Sequence, residues 1–250
     1  MKILENGRGI IVGLEDVDPK DYPNLEVIGC NMTSTEHLDN CREAGIKIID
    51  LKGETEFLKT ITSTAEHTIG LMIALARNYK SAFKETEQRI VGSRLAGKTI
   101  GIIGYGRIGK QVKGMADTLG MDVISHDKTH IINTLDDMVF RSDYISVHIP
   151  LGGNEGAINR ELFRQMRPTA YFINTSRSGI VEEGALLWAL ENREIAGAAV
   201  DFVDDPDLLT YAKNNDNLIL TNHIGGATVE DMRATEEFVT RKVEEYINNK

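Results

Sequence analysis

The sequence predicts an α/β protein built on a doubly wound parallel sheet, with a second, smaller unit beside it. Three observations lead there. Short β-branched runs alternate with helix-length segments through most of the 250 residues, the pattern of βαβ units. The apolar run Thr99–Ile103 leads straight into Gly104-Tyr-Gly106-Arg-Ile-Gly109. A smaller β-α-β stretch stands ahead of it, with strands at Gly9–Leu14, Leu25–Cys30 and Ile46–Leu51.

In that first stretch Ser34–Ala44 reads as a helix, closed by Gly45 at its C-cap. Ser63–Ile90 reads as one long helix. Leu71, Met72, Leu75 and Ala76 fall on one face, while Arg77, Lys80, Lys84, Glu85 and Glu87 are solvated. Gly92–Gly97 is a loop. Strands are then expected at 99–104, 121–125, 144–148, 170–174, 197–201 and 218–221. Helices fall between them at about 107–119, 135–141, 159–166 and 182–192. Pro168 ends the third of these helices. The last helix, Val229–Asn248, is amphipathic and highly charged. The expected domains are residues 1–72 with 226–250, and residues 73–225 including the connecting helix.

The glycine run has the spacing G-x-G-x-x-G, and each glycine has a physical reason. Gly104 permits the tight strand-to-helix turn, Gly106 lets a pyrophosphate approach the backbone, and Gly109 lets the helix pack close to the strand. The helix N-terminus offers free N–H groups and the positive end of its dipole. Asp127 closes the next strand, 18 residues beyond Gly109. An acid at about that spacing takes the ribose hydroxyls of NAD and repels the extra phosphate of NADP. Lys128, beside it, leaves NADP as the alternative. The larger unit is therefore expected to be a Rossmann-type dinucleotide-binding domain.

The formal net charge is −10, which argues against non-specific nucleic-acid binding. It leaves room for an anionic substrate, since one arginine in a closed pocket dominates locally. Cys30 and Cys41 have no metal-ligand spacing and form no disulfide framework, so both read as reduced thiols of a cytoplasmic protein. The N-terminus lacks a signal-peptide pattern, and no apolar run approaches membrane-spanning length.

Three polar segments follow strands in the second half: Asn174-Thr-Ser-Arg177-Ser-Gly179, Asp201-Phe-Val-Asp204-Asp205-Pro206, and Asn222-His223-Ile-Gly225-Gly226. The carboxyl ends of strands in an open α/β sheet form its ligand crevice. An arginine there can fork onto a substrate carboxylate. A histidine can take a hydroxyl proton as hydride leaves, and a nearby carboxylate can hold the imidazole.

At these residues the chain resembles the D-isomer-specific 2-hydroxyacid dehydrogenase family. The resemblance runs from about residue 9 to the C-terminus. It rests on STAEHTIGLMIALAR at 63–77, the glycine fingerprint, Val147-His148-Ile-Pro150-Leu151, NTSRSG, GAAVDFVDDP and NHIGGAT. It implies NAD as cofactor, a small 2-hydroxy or 2-oxo acid as substrate, and a homodimer. It implies Arg177 as substrate binder and His223 as acid–base group. Cofactor contacts are implied from Arg107, Ile108, Asp127, His148, Thr175, Ser176, Arg177, Asp201, His223, Gly225 and Gly226, beside the three fingerprint glycines. His148 has a purely structural alternative, and His67 reads as a packing residue.

The chain also departs from that family. Where the family places a glutamate before the proline, this chain offers Asp205-Pro206. Asp205 is the candidate acid partner of His223, with Asp204 as the alternative. The family's substrate lobe is flavodoxin-like, and this chain starts where its third strand falls. The truncated lobe leaves Gly9–Leu14 as a sheet edge. Met1–Glu5, then Asn6-Gly7, then Arg8–Val12 reads as a two-residue hairpin that covers it. The loop Gln88–Leu95 is shorter than the family's and lacks its tryptophan. The loop at Gly29–Thr35 is less glycine-rich, and no arginine stands near Glu15-Asp16, so the acid itself is undetermined. Phosphoglycerate is the first specific expectation. A nucleotide-sensing protein without catalysis is the reading from another class.

Overall fold

The computed structural model describes residues 1–4, 7–33, 35–85, 87–127, 134–203 and 205–249. The chain forms two units, Met1–Ile61 with Ala227–Lys250, and Thr62–Gly226.

The first unit opens with β1 (Lys2–Leu4), β2 (Gly9–Val12) and β3 (Val27–Cys30). After them come α1 (Asp39–Glu43), β4 (Lys47–Ile49) and α2 (Thr55–Leu58). The strands lie in the order β1-β2-β3-β4. β2, β3 and β4 run parallel, and β1 runs antiparallel beside β2. Lys2 pairs with Ile11 and Leu4 with Gly9, the register that an Asn6-Gly7 turn sets. Glu5 and Asn6 themselves lie outside the described residues. A three-residue strand thus covers the edge that β2 would otherwise present.

The second unit starts with α3 (Ser63–Ala76) and α4 (Tyr79–Ala82). It continues through β5 (Thr99–Ile103), α5 (Arg107–Thr118), β6 (Asp122–His126), α6 (Leu135–Arg141), β7 (Tyr144–Val147), α7 (Arg160–Gln165) and β8 (Tyr171–Asn174). It ends with α8 (Ala185–Glu191), β9 (Gly197–Val200), α9 (Pro206–Asn214) and β10 (Leu218–Leu220). All six strands are parallel, in the order β10-β9-β8-β7-β5-β6. The direction of winding reverses between β5 and β7, so a crevice opens at their carboxyl ends. Alternation along the strands divides the core. Ile100, Ile102, Tyr144, Ile173 and Ala199 face α3 and α5. Ile145, Val147, Phe172, Ala198 and Val200 face α6 to α9.

The single long helix expected over Ser63–Ile90 is not formed. α3 stops at Ala76 and the chain turns at Arg77 and Asn78. Asn78 adopts φ 52°, and its side-chain amide donates to Val91 O at 3.0 Å. Asparagine tolerates this left-handed conformation better than most residues, so the helix breaks where a polar side chain can staple the returning loop.

The chain closes with α10 (Val229–Asn248), which belongs to the first unit. Thr228 caps it by accepting from Asp231 N at 3.2 Å. Val239, Val243 and Ile247, spaced at helical i, i+4 and i+8, are buried with Ile11 and Val27. Their close approach needs Gly9 and Gly29, because a Cβ at either would lie 2.8 Å from Val243 methyl groups. Phe57 stacks on Phe238 with ring centroids 4.0 Å apart. Among the described residues no helix is long and apolar enough to cross a membrane.

Candidate active site

The glycine fingerprint lies where β5 enters α5, and its three glycines answer to different neighbours. Gly104 has φ +96°, and a Cβ there would meet His148 O at 2.5 Å. A Cβ on Gly109 would meet Gly104 O at 2.1 Å. The protein's own packing requires both. A Cβ on Gly106 would find nothing within 4 Å. Among the described residues no neighbour requires a glycine at 106, and the open space leaves room for a ligand on its backbone. Gly106 is the N-cap of α5 and supplies no capping side chain. The first backbone bond that it accepts comes from Lys110 N. The N–H groups of Arg107, Ile108 and Gly109 therefore precede the helix's own ladder, with the dipole behind them. Asp127 Oδ2 accepts from Tyr105 N at 2.9 Å, which fixes the acid beside the glycine turn. These residues fit a dinucleotide. Lys128 and His130 lie outside the described residues.

Gly109→Ala is expected to lower the stability of the fold by about 3 kcal/mol, the upper range for overpacking, since the clash is with backbone. Thermal unfolding checks it. A midpoint unchanged from the wild type refutes the packing argument.

At the other carboxyl ends the loops are tied by their own side chains. Asn174, buried at the end of β8, accepts from Ser176 N and donates to Arg177 O, both at 2.9 Å. Ser176 donates its hydroxyl to Val147 O at 2.8 Å. Thr175 shares a 2.9 Å hydroxyl contact with Thr68 of α3. The Arg177 guanidinium donates to Ser176 O at 2.8 Å. Among the described residues it has no ion-paired carboxylate.

Asp201 ends β9 with its side chain only 3% exposed. Its Oδ1 accepts from Thr221 Oγ1 at 2.6 Å and from Ile224 N at 2.9 Å, with His67 Nε2 3.3 Å away. Its Oδ2 accepts from Gly225 N at 2.7 Å, and its backbone O accepts from His223 N at 2.6 Å. Burial pushes this carboxyl up, but the donors from His67, Thr221, Ile224 and Gly225 outweigh it and bring the pKa down to about 2. A Cβ on Gly225 would lie 2.7 Å from Asp201 Oδ2, so the loop closes on the carboxylate only with glycine there. A Cβ on Gly226 would meet nothing within 4 Å.

His223 sits in that loop with φ 61°. Strain of this kind gathers at functional positions. Its ring meets Phe202 edge to face at 4.9 Å. Burial and then the charge of Arg177 hold its pKa below the ordinary value, with Asp201 pulling weakly the other way. Arg177, Asp201 and His223 are thus close enough to feel one another.

The expected pair between Asp205 and His223 is not formed. Asp205 is the N-cap of α9 and accepts from Asp207 N at 2.8 Å and Leu208 N at 3.3 Å. A cap two and three residues away orders less chain than a contact across the site, so the local bond wins. Asp204 lies outside the described residues. His148 holds Ser146 Oγ at 2.8 Å through Nε2, and its buried Nδ1 has no partner among the described residues. Burial lowers its pKa to about 3, so the ring is neutral. His67, expected as packing, is bonded into the Asp201 cluster instead. Thr221 and Thr68 were not singled out by sequence either. Only the fold brings them to partners 20 and 107 residues away.

The doubly wound sheet, the bare Gly106 and the acid at the next strand end define the second unit as a dinucleotide-binding domain of the Rossmann class. The family described as D-isomer specific 2-hydroxyacid dehydrogenase, NAD binding domain, matches residues 69–225. The chain belongs to that family. It is 35% identical to a D-3-phosphoglycerate dehydrogenase of Synechocystis sp., over 67% of this chain and 34% of that protein. It is 31% identical to a glycerate dehydrogenase of Methylorubrum extorquens, over 92% of this chain and 79% of that one. The chain thus spans about a third of the first relative's length. Its fold matches the apo-structure of D-lactate dehydrogenase from Escherichia coli with a TM-score of 0.84, at 22% identity, covering 97% of this chain and 84% of that one.

Proposed function

We propose that the chain is an NAD-dependent D-2-hydroxyacid dehydrogenase that interconverts a small 2-hydroxy acid and its 2-oxo acid. Bound nicotinamide supplies or accepts the hydride at the substrate's C2. Gly104, Gly106 and Gly109, with the first turn of α5, cradle the pyrophosphate, and Asp127 takes the ribose and favours NAD over NADP. Arg177 holds the substrate carboxylate through its planar fork. His223 takes the hydroxyl proton in oxidation and returns it in reduction. Thr175, Ser176, Arg177, Asp201, Gly225 and Gly226 shape the nicotinamide end, and His148 lines the crevice as a neutral ring.

The observation that carries this reading is that the Arg177 charge reaches His223. A guanidinium with no carboxylate partner among the described residues, near enough to depress the histidine, suits an anion site beside a proton carrier. The proposal extends to a phosphoglycerate-like substrate, a cytoplasmic setting and a homodimer. Cys30 and Cys41, both buried and unpaired, suit a reducing compartment. One observation favours the second reading, a dinucleotide-sensing protein with little or no turnover. His223 accepts no help from Asp205, which caps α9.

The test is oxidation of NADH, with NADPH in parallel, against glyoxylate, hydroxypyruvate, pyruvate, 2-oxoglutarate and 3-phosphohydroxypyruvate. Arg177→Ala is expected to raise KM for the accepted acid about 100-fold, since a buried charge-assisted contact contributes about 2–3 kcal/mol. NADH binding should be retained. Tight NADH binding with no turnover on any acid favours the sensing protein.

A further inference from the structure

Resting on that reading, we propose that His67 of α3 is a positioning residue that sets the His223 loop through Asp201. Thr221 gives its one hydroxyl proton to Asp201 Oδ1 at 2.6 Å. Toward His67 Nε2, 3.1 Å away, that hydroxyl can only accept. Asp201 Oδ1, 3.3 Å from the same nitrogen, also only accepts. Both neighbours require the proton on Nε2, which fixes the tautomer and leaves Nδ1 bare in the neutral ring. The flank of the imidazole lies along the loop itself. A Cβ added at Gly225 would stand 3.6 Å from His67 Cδ2.

The donor is held on a rigid base. α3 buries Ala65, Ile69 and Met72 among Ile100, Ile102 and Ile173. It thereby brings a fixed N–H to the Thr221 hydroxyl, 3.3 Å from the Asp201 carboxylate that the same hydroxyl serves. Asp201 uses its two oxygens and its carbonyl to hold Ile224, Gly225 and His223 in place. The αL backbone at His223 persists only while those bonds overdetermine it. Without the His67 N–H, the Thr221 hydroxyl loses the donor that orients it toward Oδ1, and Oδ1 loses its 3.3 Å contact with the ring. The carboxylate then gains freedom to turn, and the histidine shifts with the loop. Among the described residues, the charged and titratable groups that bear on His223 are Arg177 from the loop after β8 and Asp201 just past β9. His67 acts on it only through Asp201.

His67→Phe keeps a ring and removes the donor. His67→Gln returns an amide N–H at about the reach of Nε2. The expected result is that kcat falls about tenfold in the Phe variant, as a misplacement below 1 Å would cause. The Gln variant should recover most of kcat. Nitrogen-15 NMR of the protein without cofactor supplies a readout independent of turnover. The wild-type His67 should show the Nε2–H tautomer. The His223 titration should shift in the Phe variant and return toward wild type with Gln. The proposal is overturned if Phe and Gln variants lose kcat equally, or if the His223 titration is the same in all three. If wild-type protein reduces no acid, the dehydrogenase reading fails, while the NMR arm still decides the role of His67.

Discussion

Asp201→Ala is expected to cost about 3–5 kcal/mol of stability, the range for removing one partner of a buried charged cluster. The carboxylate is almost fully buried, and its removal strands the Thr221 hydroxyl proton, Ile224 N and Gly225 N, while His67 Nε2 keeps only the Thr221 oxygen. Each buried donor left without an acceptor costs about 1–3 kcal/mol. Some of that is recovered when water enters the half-exposed side of the loop. In a domain of this size the thermal midpoint should fall by roughly 10 °C. Asp201→Asn should lose less. Its oxygen can serve the crowded Oδ1 position, and one misplaced amide proton faces Gly225 N.

The pH dependence carries a definite sign. The folded pKa of Asp201 is depressed to about 2 from its ordinary value of 3.8, so the folded state favours the charged form. That contribution is fully present above the unfolded pKa, and is lost as pH falls from about 4 to about 2. The gap in stability between wild type and Asp201→Ala should therefore narrow over that acid window. A gap that is constant from neutral pH down to pH 2 sinks the assignment of Asp201 as the charged anchor of this loop.

Different parts of this arrangement were legible for different reasons. Gly104, Gly106 and Gly109 could be read because a backbone turn leaves a fixed spacing in the chain. The β1–β2 hairpin could be read because Asn-Gly sets a register. Both are local rules. The break at Asn78 was hidden because the solvated stripe through Lys80 and Lys84 continues the helical period beyond it. Only the loop that receives the Asn78 amide shows why the chain turns. Asp205-Pro206 was a helix start in plain view, a capping side chain followed by proline at N1. Reading it as a partner for His223 gave one carboxylate two tasks, and the nearer one took it. The contact between His67 and Asp201 follows no sequence rule. It joins the second turn of a helix to the end of a strand, and the parallel sheet alone brings them together. The part of the site that would bind a dinucleotide is thus local and readable. The part that would do the chemistry is assembled from distant strand ends, and sequence marks its residue types without their pairing.

His223→Ala is expected to reduce turnover by about 10²–10⁴, the range for loss of a positioned general acid–base group, with NADH affinity little changed. The pH profile sharpens this. Burial, and then Arg177, hold the imidazole below its ordinary value of 6.5. Reduction needs the protonated ring, so its kcat/KM should fall as pH rises through a pKa below that value. Oxidation needs the neutral ring and should rise through the same pKa to a plateau. Arg177 contributes part of the depression, so Arg177→Ala should move the inflection upward even while it weakens substrate binding. Asp201 pulls the other way, and Asp201→Asn should move it further down if the loop survives. An inflection unmoved by Arg177→Ala would separate the two residues. A profile unchanged in His223→Ala would leave the proton to another group and remove His223 from the chemistry.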